Sequence, residues 1–147
     1  MLVIAIKRPD GGVSICYPVK FDKANPELTE QDLFDLALSR AANQGEVSVI
    51  DSSLIPTDRV LRNAWVHSIE GIRECPIKSR DILRAKRNKK LEELDSKAIR
   101  ESRKPNGNIQ EIDSKAEMLR SIPQRENFEV MSISELKEIL VEIEGVN

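Results

Sequence analysis

The sequence PDGG at residues 9–12 separates two short apolar stretches near the start of the chain. Proline fixes φ and glycine readily adopts positive φ, so this group predicts a tight turn. Leu2 to Ile6 is apolar and rich in Val and Ile, and Val13 to Tyr17 alternates apolar and polar side chains. The pattern predicts a β-hairpin, which commits the first part of the chain to an antiparallel sheet.

A helix and a third strand are expected to follow this hairpin. Thr29 with Asp32 three residues later is typical of a helix N-terminus, and apolar residues then recur at helical spacing as far as Ala41. The segment Glu46 to Asp51 predicts a third strand. Residues 1–74 are therefore predicted to form a small α+β module, with the helix packed on one face of the sheet.

The next stretch, residues 77 to 103, has many helix-forming residues and no glycine or proline, and Pro76 suits a helix N-terminus. The sequence KPNG at 104–107 interrupts it, and a second helix is predicted from Asn108 to Ser121. Apolar residues at spacings of three and four predict a seam between two antiparallel helices. The seam residues are Leu91, Leu94 and Ala98 on the first helix and Ile109, Ile112, Ala116 and Leu119 on the second. Residues 75–124 are thus predicted to form a helical hairpin.

A last helix is predicted within residues 125–147, where Ser132 and Glu135 have the spacing of a capping box. The predicted fold class is α+β: a small N-terminal antiparallel sheet with one packed helix, followed by an antiparallel helical hairpin and a short C-terminal helix.

The charges are distributed unevenly between the first predicted hairpin helix and the rest of the chain after it. Residues 76–104 contain 11 basic and 5 acidic residues, whereas residues 105–147 contain 4 basic and 9 acidic residues. Neighbouring segments of opposite charge suit two elements that attract each other, or an attachment surface on either of them. Since 33% of the residues are charged and only 39% are hydrophobic, we expect part of the chain to be elongated, with much surface per residue.

The sequence predicts no enzyme, metal site or cofactor. His67 is the only histidine, and no nucleophile motif surrounds the cysteines or the serines near it. Cys16 and Cys75 lack the spacing of metal ligands, and no GxGxxG or Walker sequence is present. The apolar start is too short for a signal peptide, and no run approaches the length of a membrane span. We therefore expect a soluble protein in a reducing cytoplasm, with free thiols and no membrane partner.

The basic run of residues 84–90 leaves nucleic-acid binding open as an alternative. A helix carrying Arg84, Lys86, Arg87, Lys89 and Lys90 could follow phosphates. No aromatic residue is interleaved for base stacking, and acidic residues follow at once. A solvated helix face, or one that pairs with the acidic C-terminal third, is the favoured interpretation.

The segment of residues 55–68 brings the only tryptophan, Trp65, close to Arg59, Arg62 and Asp58. Tryptophan and arginine are enriched at the energetic centres of protein interfaces, so the segment could be a protein-binding site. A large indole between two predicted domains can also serve as an interdomain latch, and this is the interpretation that the position favours.

Three stretches of the sequence together resemble a family of small uncharacterised phage and prophage proteins. They are RPDGGVSI, then IDSSLIPTDRVLRNAW, and then a helical region with SRDILRAKRNKKLEELD and AEMLRSIPQ. The helical region is similar to the C-terminal part of phage tail-fibre assembly chaperones. The strongly basic residues 84–90 depart from the acidic or alanine-rich helices that those relatives often have.

This resemblance implies a setting among tail genes and supplies no catalytic residue. The predicted function is a non-enzymatic, phage-related tail-assembly factor or structural tail component that acts by binding proteins. Its partners would be tail components or further copies of itself, in the cytoplasm of a bacterial host or incorporated in a virion or phage-like particle.

Overall fold

The computed structural model describes residues 1–146 of the chain. The chain has an α+β fold with two compact units, Met1–Cys75 and Pro76–Asn147. The strands of the first unit are β1 (Leu2–Lys7), β2 (Val13–Cys16), β3 (Val47–Asp51), β4 (Trp65–Ser68) and β5 (Gly71–Glu74), and its helix is α1 (Glu30–Ala42). The second unit contains α2 (Pro76–Ser102), α3 (Ile109–Ser121) and α4 (Ile133–Gly145).

Strand β1 is the centre of the first unit because it pairs with β2 on one side and β3 on the other, both antiparallel. Successive side chains of a strand point to opposite faces of the sheet. Ile4 and Ile6 pack with Ala41 of α1, while Val3 and Ala5 pack on the other face with Trp65 of β4. The unit therefore has three layers, which are α1, the three-stranded sheet and the β4–β5 hairpin.

The predicted hairpin and helix N-terminus are confirmed. Gly11 has φ 71°, and the Asp10 carboxylate accepts a hydrogen bond from the Gly12 N–H at 2.8 Å. Glycine adopts a positive φ without strain, which explains why a glycine occupies this position of the turn. Thr29 and Asp32 form a capping box at the start of α1, so both side chains accept from backbone N–H groups that the helix leaves unpaired.

In the second unit, the long helix α2 packs against both α3 and α4. The predicted capping box of Ser132 and Glu135 is present at the start of α4. Four apolar side chains of α4 are buried: Leu136, Ile139, Leu140 and Ile143. The predicted segment of residues 125–147 thus contributes a helix to the same unit as the hairpin, and the boundary between the two units lies one residue beyond the predicted position.

Candidate protein-binding surfaces

Trp65, which the sequence singles out as a latch or binding anchor, lies in the core of the first unit. Its indole is only 3% exposed and belongs to a cluster with Val3, Val13, Ile55 and Ile72. The neighbours in this cluster all come from the first unit, so the indole contributes to that unit's own stability. A partner could not reach it without opening the sheet and hairpin layers.

The charged residues near Trp65 in sequence are on the surface. Arg59, Arg62 and Asp58 are all exposed. One Asp58 carboxylate oxygen accepts a hydrogen bond from the Val60 N–H at 2.9 Å, which fixes the local turn. These three side chains are accessible to a partner, in contrast to the buried indole.

Arg84 of the basic run is engaged with acidic groups of its own unit. Its guanidinium forms ion pairs with Asp81 at 3.1 Å and with Glu129 at 2.5 Å, and it lies 5.7 Å from the centre of the Phe128 ring. Arg80, one turn earlier on α2, also pairs with Glu129 at 3.5 Å. The attraction expected between the basic and acidic stretches is therefore present at this point.

Two further cations of the run are paired as well. Lys86 forms an ion pair with Glu144 of α4, and Lys90 lies 3.7 Å from Glu93 on its own helix. Arg87 and Lys89 form no ion pair with any residue in 1–146, although Arg87 donates to the Asn88 side chain. Three of the five cations thus already have partners that a nucleic acid would have to displace.

The predicted seam residues lie where α2 and α3 pack against each other. Leu94, Ala116 and Leu119 are buried. Leu91, Ala98 and Ile112 are partly buried, and Ile109, at the start of α3, is 38% exposed. Much of the seam's apolar surface is covered within the chain itself.

The structure places His67 beside Ser48, a contact that the sequence analysis missed. The His67 Nε2 atom lies 2.8 Å from the Ser48 Oγ atom and links β4 to β3. A serine–histidine pair resembles part of a hydrolase triad, but a triad also needs a carboxylate that orients the imidazole. No carboxylate among residues 1–146 forms a hydrogen bond or an ion pair with His67. No local motif indicates this contact, because the two residues are 19 positions apart.

The segment that follows β2 exposes apolar side chains next to a groove. We call residues 17–21, YPVKF, the aromatic segment. Tyr17 is 45% exposed, Val19 61% and Phe21 62%. Only five residues of the chain are aromatic, and two of them are exposed here. The sequence itself points to this segment, because apolar side chains occupy the alternate positions 17, 19 and 21.

Two grooves of the first unit meet at this segment, and Pro18 and Val19 line both. One groove also contains the side chains of Leu2 and Phe34. The other lies between β2 and α1 and has a volume of about 510 Å³. Exposed aromatic side chains beside apolar grooves are typical of surfaces that bind other proteins.

Cys16 and Cys75 are free thiols. Among residues 1–146, no three histidine, cysteine or acidic side chains are grouped so that they could hold a metal ion. None of the helices in that range has the length and apolar character that crossing a membrane requires.

Comparison with protein-family models, with curated proteins and with solved structures gave no significant match.

Proposed function

We propose that this chain is a non-enzymatic protein-binding factor of a phage or prophage, acting in tail assembly or as a tail component. The observation that carries the proposal is the aromatic segment, which exposes Tyr17, Val19 and Phe21. Val19 lines both grooves, Tyr17 lines one of them, and Phe21 follows in sequence. Exposed aromatic residues bury a large area in a complex at a low entropic cost, so they are effective anchors for a partner.

The resemblance of three sequence stretches to phage and prophage proteins supports the biological setting. RPDGGVSI forms the turn of the first hairpin, and the RNAW motif leads into β4 and places Trp65 in the core. In this interpretation, these motifs maintain the scaffold, and the neighbouring aromatic segment carries the binding surface.

Purified proteins encoded by the genes that flank this one provide the test. Each would be titrated against the full-length chain, with binding measured by calorimetry. We expect at least one tail protein to bind, and the double variant Val19→Ser/Phe21→Ser to weaken that binding by about tenfold or more, as truncation of anchor residues does. Ile69→Ser is the matched control, because Ile69 is a fully exposed apolar residue in a turn of the same unit.

Two results would contradict the proposal. The setting is wrong if none of the flanking gene products binds. The assigned surface is wrong if a complex forms with the same affinity for the wild type, the double variant and Ile69→Ser.

A further inference from the structure

Strand β2 lies at the edge of the three-stranded sheet and pairs only with β1. The Arg8 N–H donates to the Gly12 carbonyl oxygen at 2.9 Å, which marks a hydrogen-bonded pair at the turn. Such pairs recur at every second residue of an antiparallel ladder. Ser14 and Cys16 therefore exchange bonds with β1, and Val13 and Ile15 direct their N–H and C=O groups outward.

The groove between β2 and α1 lies on the path of any strand that would add to this edge. Ile6, Cys16 and Val19 line it on the sheet side, and Ala37 and Ala41 line it on the helix side. Alternate side chains of an added strand would point toward α1, since side chains of a strand alternate between its two faces. The small alanine side chains leave room for them.

Arg40 of α1 supplies the charge of this groove. It is exposed and is the one charged side chain among the described residues that line the groove. It forms no ion pair within 4 Å with any residue in 1–146. Its longer-range attraction to Asp22 is the smallest of the effects that lower the pKa of that carboxyl group. A carboxylate on an incoming strand would complement it.

We propose that this groove binds an extended segment of a partner protein as a fourth strand on β2, with an apolar side chain toward Ala37 and Ala41 and an acidic one toward Arg40. This inference rests on the proposed protein-binding function and specifies the chemistry of the partner. Main-chain hydrogen bonds to Val13 and Ile15 supply affinity, and the two alternate side chains supply specificity.

A second copy of the chain fits the groove less well. If two β2 strands paired with each other, each would bring the sequence VSIC, residues 13–16, to the edge of the other. These four residues include no carboxylate for Arg40. The charge of the groove thus favours a different chain.

The test uses the full-length, isotope-labelled protein and capped synthetic peptides, followed by NMR. The probe is acetyl-Thr-Val-Thr-Glu-Thr-amide, in which Val and Glu share one face of a strand. A second peptide has Gln in place of Glu, and a third is N-methylated at alternate amides so that it cannot pair with a strand edge. Arg40→Gln is compared with Arg73→Gln, which removes another exposed arginine of the same unit.

We expect the Glu peptide to shift the amide signals of Val13 and Ile15 and to bind about fivefold more tightly than the Gln peptide, as a solvent-exposed ion pair allows. Arg40→Gln should abolish this preference, and Arg73→Gln should keep it. The N-methylated peptide should not bind.

The inference is overturned if the Glu peptide causes no shift at its highest soluble concentration, if the N-methylated peptide binds equally well, or if the preference survives Arg40→Gln. A free chain that is dimeric with protected Val13 and Ile15 amides would also overturn it, since a second copy would then occupy the edge. Tail proteins that bind the aromatic segment without any peptide binding would refute this inference alone, whereas peptide binding without any tail-protein partner would refute the proposed function alone.

Discussion

Arg125 and Glu142 form a two-pronged ion pair in the second unit, with guanidinium nitrogens 2.8 Å and 2.5 Å from the two carboxylate oxygens. Both side chains are about a third exposed. The pair joins the turn after α3 to helix α4. Arg125 and Glu142 lie 17 positions apart in sequence. A planar guanidinium matches a carboxylate in this geometry better than a lysine would.

This pair predicts an acid-dependent contribution to stability. The hydrogen bonds from Arg125 hold the pKa of Glu142 below its usual value of 4.5. A carboxyl group whose pKa is lower in the folded state stabilises the fold at pH values above its unfolded pKa. The contribution disappears as the pH falls below 4.5 and through the folded pKa.

We expect Glu142→Gln to lower the free energy of unfolding by about 1 kcal/mol at pH 7, a value discounted for solvent exposure. The difference from the wild type should shrink to near zero at pH 2. Urea unfolding at both pH values measures it, and Glu138→Gln, an exposed position on the same helix, is the control. A loss that is equally large at both pH values would show that the ion pair is not its cause.

Trp65→Ala is expected to lower the free energy of unfolding of the first unit by about 3–5 kcal/mol, because it removes a buried aromatic side chain and leaves a cavity. Circular dichroism should follow the unfolding, since the substitution removes the only tryptophan. Phe21→Ala is the comparison at an exposed aromatic position, with an expected change within about 0.5 kcal/mol. Equal losses for the two variants would contradict the placement of the indole.

In the second unit, the seam between α2 and α3 predicts that truncating a buried residue lowers the free energy of unfolding more than truncating an exposed one. Leu119 is fully buried, so Leu119→Ala should cost about 2–5 kcal/mol. Ile109→Ala removes a partly exposed side chain at the start of the same helix and should cost clearly less. Denaturant titrations of both variants would measure this, and a reversed order would contradict the observed packing.

The alternative of nucleic-acid binding predicts a salt dependence that can be measured. Since Arg84, Lys86 and Lys90 are paired with acidic residues, only Arg87 and Lys89 of the run are available for phosphates. Any binding of duplex DNA should then follow a slope of about −2 in a plot of log affinity against log salt concentration. A much steeper slope that Lys89→Glu/Lys90→Glu abolishes would favour the nucleic-acid interpretation.

The elements that the sequence predicts well depend on local patterns. Gly11, Thr29 and Ser132 act on residues only a few positions away, and each turn or cap is found where its motif lies. Contacts between distant residues are harder to predict. Nothing near His67 indicates Ser48. The charge pattern predicts an attraction between the basic and acidic stretches, but it does not single out Glu129, 45 residues away, as the partner of Arg84.

The role of Trp65 shows the same limit. The rarity of tryptophan and the neighbouring arginines indicate a junction or a binding anchor. The place of Trp65 in the core instead depends on strand β1, about 60 positions earlier. The aromatic segment is the opposite case, because its alternating side chains were visible in the sequence. Their exposure could be recognised only once β2 was known to end at Cys16.

The central position of β1 has a consequence for synthesis on the ribosome. This strand is made before β2, α1, β3 and the β4–β5 hairpin, yet Val3, Ile4, Ala5 and Ile6 depend on these later elements for their burial. The covering layer around Ile72 is the last of them to be translated. The face of β1 that carries Val3 and Ala5 therefore stays uncovered for some seventy residues of elongation, a period in which exposed apolar strands are prone to aggregate or to recruit chaperones.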